Sequence, residues 1–434
     1  MPNDQRRKIM NNKWVRAAIP ALLIHCSIGT VYCWSTFKEA IAQKIGVSTF
    51  GAGWAFSLAI FFLGMSAAFA GKLVEKNIHK SSLIACICFT VGMIGTGAVI
   101  QFMHGTPALI CIYLFYGCIM GIGLGVGYLT PVKTLMLWFS EQKGLATGIS
   151  IMGFGLAKAI ATPIMERLQN AYGISAMFYI LGTIYFVMMF AGHILLKKPE
   201  GWVESDDKYS DFKLSALLKN KAFIFIWLMF YINIHCGLML ITYEKQILEA
   251  TYVGMAALAT IVAVVPSVTA GCNALGRIGY STISDKMKDR ALVYKIIFAS
   301  CVLATGFTLL LSSMGNGGGV YRVSIIALLM IVNLGYGGGF STLPALLSSR
   351  FGMNNISKIH GIALSAWAVA GLTGNNMSEI ILNKTSNGGE RTSSHYAYLM
   401  IATVILYAVA FVCSFFTSNE KKQADMSDDI KLVH

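Results

Sequence analysis

Long apolar runs separated by short polar stretches dominate the pattern along this chain. A helix crosses a hydrocarbon core of about 30 Å with roughly 20 apolar residues. Runs such as 83–99 are continuously apolar, whereas the strands of a membrane barrel alternate with period two. The pattern therefore predicts an all-α membrane protein with transmembrane helices at 15–37, 51–71, 81–103, 107–138, 144–164, 174–196, 222–243, 253–283, 292–312, 322–348, 359–382 and 396–416, twelve in all.

The composition excludes several classes of protein. Of the 434 residues 56% are hydrophobic and 12% are charged, against about 25% charged in soluble domains. The net charge of +14 does not indicate nucleic acid, because the basic residues lie in connections between apolar runs. The ten cysteines include no CxxC pair, which argues against a zinc site. We therefore expect no nucleic-acid partner, no metal and no cofactor.

The polar connections suggest how the chain is organised. The first run is of span length and lacks a small-x-small cleavage site, so we expect it to remain as a span. The sequence Ile-His-Cys occurs at 24–26 and again at 234–236, in the first spans of the two halves, which suggests an internal repeat. We predict an amino-terminal arm at 1–14, six-helix bundles at 15–196 and 222–416, a linker at 197–221 and a tail at 417–434.

Basic residues also indicate the orientation. Lys and Arg predominate on the side of the two termini, so both termini are expected in the cytoplasm, with the chain in the plasma (inner) membrane. Three basic residues, Lys133, Lys158 and Arg277, lie well inside predicted spans. Even the lowest scales assign about 2.5 kcal/mol to a charge at the centre of a membrane helix. These residues therefore need an ion pair, a wet cavity or a ligand.

Two loops carry a recognisable signature. The loop after the second span has glycine and charged residues that resemble the Gly-x-x-x-Asp-Arg-x-x-x-basic motif of the major facilitator superfamily, with Glu and Lys replacing the usual Asp and Arg. The loop after the eighth span resembles its second copy. A carboxylate there can cap a neighbouring helix while basic residues bind headgroups. The residues of this expected cytoplasmic latch are Gly71, Glu75, Lys76, Asp285 and Lys286.

Longer segments resemble the oxalate/formate antiporter branch of that superfamily, near the monocarboxylate transporters. They are 29–37, 128–148, 336–344 and 360–367. The resemblance implies the major facilitator fold, with two pseudo-symmetric six-helix bundles around a central cavity and alternating access. It also implies a secondary transporter of small organic anions, with a monomer as the functional unit, and not an enzyme.

The resemblance further implies a substrate site. The basic residue of the eighth span falls on Arg277. The aromatic cage of relatives falls on Tyr32, Trp34, Tyr128, Tyr336 and Phe340; the alternative for these rings is ordinary core packing. Relatives specialised for oxalate carry a second basic residue where this chain has Trp367, which argues against oxalate.

Arg277 is the strongest candidate on chemical grounds. A guanidinium matches a carboxylate with two parallel hydrogen bonds, and helical spacing sets Asn273 beside it. The alternative is a structural ion pair. Lys158 is hypothesised to supply a second positive charge for a dicarboxylate; the alternative is snorkelling or pairing with Glu166. Lys133 lies closer to the cytoplasmic interface, where snorkelling explains it.

Proton coupling has three candidates, His25, His235 and Glu244. Imidazole titrates near neutral pH, but a satisfied histidine bonded to a neighbouring backbone carbonyl is the favoured interpretation of each position. Glu244 and Glu379 are alternative proton carriers to the histidines; both lie towards the outer end of a span, and the alternative for each is a simply solvated acid. The sequence leaves antiport and proton symport open.

Other functions fit less well. An exporter of amphipathic or cationic compounds would need an acid inside a span. A membrane enzyme would show a nucleophile with its base, or clustered His and Asp, and catalytic residues of that kind are not found. A solute sensor would need an output domain, and the terminal arms are too short to form one. The sequence therefore favours transport of a mono- or dicarboxylate.

Overall fold

The computed structural model describes residues 12–199, 213–315, 318–353 and 355–417. Within these ranges the regular structure is helical and contains no strand. Most of the predicted arm at 1–14, residues 200–212 of the predicted linker and the predicted tail beyond Thr417 lie outside the described residues.

The long helices of these ranges are numbered in chain order. They are α1 (Trp14–Ile45), α2 (Thr49–Lys76), α3 (Ile78–Phe102), α4 (Gly105–Trp138), α5 (Lys143–Tyr172), α6 (Ile174–Leu195), α7 (Lys221–Ile241), α8 (Leu258–Asp285), α9 (Ala291–Ser313), α10 (Gly319–Phe351), α11 (Ile356–Ser386) and α12 (Ser393–Phe415). Two short helices, Leu214–Lys219 and Glu244–Thr251, lie before and after α7.

Among the described residues, 11 of these helices are long and apolar enough to cross a membrane. The remaining one, α11, covers the predicted span at 359–382. Polar residues such as Asn375, Glu379 and Lys384 lower its hydropathy. Each predicted span therefore coincides with a long helix.

Most of the helices are longer than the predicted apolar runs, and polar side chains cap the start of some of them. Ser48 accepts a hydrogen bond from the Gly51 amide at the start of α2, and Asn220 does the same for Phe223 at the start of α7. The first span was predicted to end at residue 37, but α1 continues to Ile45 and stops at Gly46, whose φ of 75° is left-handed. Apolar length alone underestimates a helix whose ends lie in water.

The chain forms two compact units. Unit 1 comprises Met1–Ser210 and Leu347–Ala368, and unit 2 comprises Asp211–Leu346 and Val369–His434. In unit 1, helices α1 and α3 both pack on α6; in unit 2, α7 and α9 both pack on α12. The first and third helices of each set of six thus pack on the sixth, which supports an internal repeat. The predicted bundle boundaries at 15–196 and 222–416 stay a prediction.

Close packing of α1 on α5 positions His25. A side chain at Gly29 would overlap the Phe154 carbonyl and would lie 2.7 Å from Ala157 Cβ. Glycine therefore lets the two backbones meet, as small residues commonly do between membrane helices. One turn earlier on each helix, this approach brings His25 against Ser150.

Candidate functional site

Arg277 lies on α8, and its side chain is held from two sides within unit 2. Its exposed fraction is 2%. Nε donates to Asn273 Oδ1 at 2.9 Å, one turn earlier on the same helix. The guanidinium carbon lies 5.5 Å from the centroid of the Phe340 ring on α10, a cation–π distance. The structure thus brings together the predicted arginine, the predicted asparagine and one predicted aromatic residue.

Glycine in α10 makes this arrangement possible. A side chain at Gly337 would overlap the Asn273 carbonyl and lie 3.1 Å from Arg277 Cγ. The aliphatic stem of the arginine therefore rests on the α10 backbone. One residue earlier, the ring of Tyr336 lies tilted against that of Phe340, with ring centroids 5.1 Å apart. The site in unit 2 consequently has one cation, one amide and two aromatic rings.

A separate aromatic cluster forms in unit 1 around Phe154 of α5. The ring centroid of Phe154 lies 5.7 Å from that of Tyr128, 5.6 Å from that of Trp367 and 5.6 Å from that of Tyr32. Sequence reasoning missed Phe154, although its position between Gly153 and Gly155 was the available signal. The structure therefore assembles three of the predicted site residues on a ring that was not predicted.

Trp34, the remaining residue of the predicted cage, packs elsewhere in unit 1. Its indole Nε1 donates to the Ala52 carbonyl at 2.9 Å, and its ring lies 4.1 Å from that of Tyr116 between centroids. Its side chain is 2% exposed. These contacts place Trp34 in a different cluster from Phe154. The alternative of core packing describes its contacts well.

The two span lysines have different surroundings. Lys158 is exposed, and its Nζ donates to Ser35 Oγ at 3.2 Å. Lys133 forms an ion pair with Glu75, and both side chains are 2% exposed. The snorkelling interpretation of Lys133 is wrong, because the ammonium stays inside unit 1 to meet a carboxylate from α2.

Glu75 also joins α2 to the start of α11, inside unit 1. Its Oε1 accepts a hydrogen bond from the Ser357 amide at 2.6 Å, in the first turn of α11, where a carboxylate also matches the helix dipole. Gly71, one turn earlier on α2, lies against the backbone of Lys358, where a side chain would clash. Gly71 and Glu75 of α2 thus both contact the first turn of α11.

The other latch residues differ in their contacts. Lys76 and Lys286 are exposed, as headgroup-binding residues should be. Asp285 accepts a hydrogen bond from Arg290 Nη1 at 2.7 Å. In the second loop, therefore, the carboxylate pairs with a basic residue of its own segment.

The two repeated histidines occupy corresponding positions with different partners. His25 is fully buried, with Nδ1 2.6 Å from the Ser150 carbonyl oxygen and Nε2 3.2 Å from the Tyr128 carbonyl oxygen. His235 is 3% exposed, and its Nδ1 lies 3.0 Å from Thr373 Oγ1. The first histidine contacts α5 and the second contacts α11, the fifth helix of its own set.

The predicted acids lie in polar networks of unit 2. Glu244 is 7% exposed and accepts a hydrogen bond from Thr269 Oγ1 at 2.6 Å. The alternative of a simply solvated Glu244 does not hold, because the short helix that it begins packs on α8. Glu379 accepts from Tyr243 and from Arg391 at 2.6 Å each. The described residues contain no group of three or more His, Cys, Asp or Glu that could hold a metal ion.

Comparison with known proteins adds the family. The sequence model of the Major Facilitator Superfamily matches residues 21–375. The chain is 25% identical over 365 residues to an uncharacterized MFS-type transporter, YhjX, of Escherichia coli strain K12, which covers 83% of this chain and 86% of that protein. It is 24% identical over 440 residues to the oxalate:formate antiporter of Oxalobacter formigenes, covering 99% and 98%.

A solved structure shows the same fold. The proton:xylose symporter XylE, bound to 6-bromo-6-deoxy-D-glucose, matches with a TM-score of 0.64 over 94% of this chain and 95% of that one, at 13% identity. Identity at this level carries the fold and nothing about the substrate. The predicted fold class, an all-α membrane protein with the major facilitator fold, is confirmed.

Proposed function

Since the chain belongs to the major facilitator superfamily, a family of membrane transporters rather than enzymes, we propose that it carries small mono- or dicarboxylates across the membrane by alternating access. One observation supports this most directly. Arg277, a cation on a membrane helix, is 2% exposed, and Asn273 and Phe340 fix its orientation.

Arg277 suits an anion carrier for two physical reasons. A guanidinium keeps its proton at every physiological pH, so the positive charge persists through a transport cycle. Its planar fork binds a carboxylate with two hydrogen bonds, and the bond from Nε to Asn273 limits rotation of that fork. The faces of Phe340 and Tyr336 provide apolar walls that exclude water from a small anion.

The substrate class has further support from the whole-length similarity to a protein named an oxalate:formate antiporter. Trp367 occupies the position at which the oxalate-specialised branch is expected to carry a second cation. We therefore propose small carboxylates other than oxalate as substrates, exchanged for another anion or carried with a proton.

The setting of the transporter is also part of the proposal. The distribution of Lys and Arg supports cytoplasmic termini in a plasma (inner) membrane. We further propose that a monomer is the functional unit, because the expected pathway lies within one chain.

Exchange by purified protein in proteoliposomes tests the substrate and the site together. Labelled formate, lactate, oxalate and succinate should each be compared for exchange by wild type, Arg277→Ala and Arg277→Gln. Loss of two charged hydrogen bonds, at about 1.5 kcal/mol each, should lower kcat/KM by roughly 100-fold. Arg167→Gln is the matched control, because Arg167 is exposed near the end of α5. Exchange at wild-type rates in both Arg277 variants would contradict the proposed site.

A further inference from the structure

We propose that His25 on α1 is a proton-binding site whose imidazolium form bridges the α5 and α4 backbones, and that this proton travels with the carboxylate. The inference rests on the proposed function, to which it adds the coupling ion. It starts from the contacts of the two ring nitrogens with the carbonyl oxygens of Ser150 and Tyr128.

A neutral imidazole has one N–H donor and one acceptor nitrogen, whereas imidazolium has two donors. A carbonyl oxygen only accepts. Nδ1 lies 2.6 Å from the Ser150 carbonyl oxygen, so this nitrogen carries a proton. Nε2 lies 3.2 Å from the Tyr128 carbonyl oxygen, and in a neutral ring two lone pairs would face each other there. A second proton on Nε2 converts that repulsion into a hydrogen bond.

The partners of Nδ1 are consistent with this assignment. Besides its carbonyl oxygen, Ser150 presents its hydroxyl oxygen 3.0 Å from Nδ1. That hydroxyl can also accept from Nδ1–H, so both Ser150 oxygens favour a proton on this nitrogen. The contact of Nε2 with α4 is therefore the one, among these three contacts, that changes when the ring binds or loses its second proton.

His235, at the corresponding position of unit 2, contacts hydroxyl groups instead of carbonyl oxygens. Its Nδ1 lies 3.0 Å from Thr373 Oγ1 and 3.2 Å from the Tyr231 hydroxyl. A hydroxyl can donate or accept by rotation. A neutral imidazole can therefore form these hydrogen bonds at His235. At His25, by contrast, carbonyl oxygens face both ring nitrogens.

The surroundings of His25 can hold a cation. The Tyr128 ring stacks on the imidazole, with centroids 5.2 Å apart and planes 28° apart, and Phe154 meets it edge-on at 6.2 Å. A protonated ring over an aromatic face is attracted by the ring quadrupole. Two carbonyl dipoles and one aromatic face thus replace part of the water that an imidazolium loses on burial.

Among the described residues of unit 1, the titratable groups around the ring come from α4, α11, α6 and α1 itself. Helix α6, which also packs on α1, contributes Tyr185, near Cys26, and His193. Tyr128 faces the His25 ring from α4, and His360 of α11 lies beyond, 6.0 Å from Tyr128 between centroids. Its own helix contributes the adjacent Cys26, and α5 presents Ser150, Gly153 and Phe154.

The charged residues of the packed helices lie further along them. Lys133 is five residues beyond Tyr128 on α4 and is paired with Glu75, and Lys158 is eight residues beyond Ser150 on α5. At 1.5 Å per residue these separations are about 7.5 and 12 Å along the helix axes. His25 is consequently the histidine in this cluster whose two ring nitrogens both face backbone carbonyl oxygens, and imidazole is the side chain whose unperturbed pKa lies between pH 5 and 8.

Protonation of His25 has a structural consequence inside unit 1. With two protons the ring joins α1 to both α5 and α4; with one, the link to α4 is lost. The proton comes from water on the acidic side, binds Nε2 and leaves to water on the other side. One proton and one monocarboxylate together carry no net charge.

A direct test is nitrogen NMR of the protein labelled with ¹⁵N-histidine. Of the eight histidines, the His25 signal is the one that disappears in His25→Gln. We expect both ring nitrogens of His25 to be protonated at about pH 6 and Nδ1 alone to be protonated at high pH. A neutral ring at every pH from about 5 to 9 would overturn the proposal. An imidazolium that never loses its proton in this range would overturn it too, because such a proton cannot be carried.

The functional test compares two transport modes in proteoliposomes. Exchange of labelled for unlabelled lactate needs no net proton movement, whereas accumulation driven by an imposed pH gradient does. We expect His25→Gln to lose at least tenfold in accumulation while exchange falls less than threefold. His104→Gln, at an exposed position before α4, should match wild type in both modes.

Three other outcomes would contradict either the role of His25 or the proposed function. Equal loss of both modes in His25→Gln would show that the histidine only holds helices together. Wild type that exchanges lactate but ignores the pH gradient would overturn proton coupling and leave the proposed function standing. Wild type that moves no carboxylate in the panel would refute the proposed function itself, and the NMR titration would still decide whether His25 binds a proton.

Discussion

Neutralising Glu75 should destabilise the protein strongly, because it leaves Lys133 as a charge without its carboxylate in the interior of unit 1. Both side chains are 2% exposed. Removing one partner of a buried ion pair typically costs about 3–5 kcal/mol, whereas replacing both by apolar residues is often neutral. The Glu75–Lys133 pair therefore permits a double-mutant cycle with large expected differences.

The chosen variants separate charge from capping. In Glu75→Gln the amide oxygen can still accept from the Ser357 amide, which Glu75 Oε1 contacts at 2.6 Å. The loss should therefore lie near the lower limit, about 3 kcal/mol. Lys133→Met keeps the stem volume and leaves the carboxylate, which still has the α11 amide, so we expect about 2 kcal/mol. Combining the two should reduce the loss to about 1 kcal/mol, because no unpaired charge remains.

The measurement is equilibrium unfolding of the purified protein in mixed micelles, followed by tryptophan fluorescence. The cycle should give a coupling free energy of roughly 4 kcal/mol, the difference between the summed single losses and the double loss. Lys245 and Glu249 provide the control pair, 3.7 Å apart with exposures of 66% and 46%. The same cycle there should give at most about 0.5 kcal/mol. Additive effects of Glu75→Gln and Lys133→Met would refute the reasoning.

Variants of Lys158 and Gly337 test one contact each. Lys158→Ala should lower exchange of succinate at least tenfold and leave formate and lactate exchange unchanged, if Lys158 binds a second carboxylate; unaltered selectivity would end that hypothesis. Gly337→Ala should force α8 and α10 apart, since its Cβ would overlap the Asn273 carbonyl. We expect a loss of about 1–3 kcal/mol in stability and a higher KM for exchange. Gly279→Ala, where nothing lies within 4 Å, is the control, and equal effects of the two glycine variants would contradict this role of Gly337.

The positions of the helices could be predicted from the sequence, because bilayer thickness fixes the length of an apolar run. Their ends could not, because caps such as Ser48 and Asn220 act through side-chain geometry that hydropathy ignores. The polar α11 was still predictable, since the apolar residues of 359–382 remain dense enough to span. The length and continuity of the apolar runs were thus sufficient to predict the fold class.

The site was only partly predictable. The contact between Arg277 and Asn273 could be predicted, because the two residues are one helical turn apart. The pairing of Lys133 with Glu75 was missed, because 58 residues separate them and Glu75 was assigned to a loop. The aromatic residues were grouped by their resemblance to the positions of relatives, which does not specify the direction of a ring. Trp34 accordingly turned towards Tyr116, away from the cluster around Phe154.

The repeated Ile-His-Cys sequence shows how one scaffold position can acquire two chemistries. Both histidines lie on the first helix of a set of six and contact the fifth. His25 faces two carbonyl oxygens, whose acceptor character is fixed, whereas His235 faces hydroxyls, which adjust to either protonation state. The repeat therefore preserves the position of the histidine in the fold, whereas the neighbouring atoms determine which protonation state is favoured. If His25 binds the proton and Arg277 binds the anion, each unit contributes one of the two charges, and single variants should separate coupling from substrate binding.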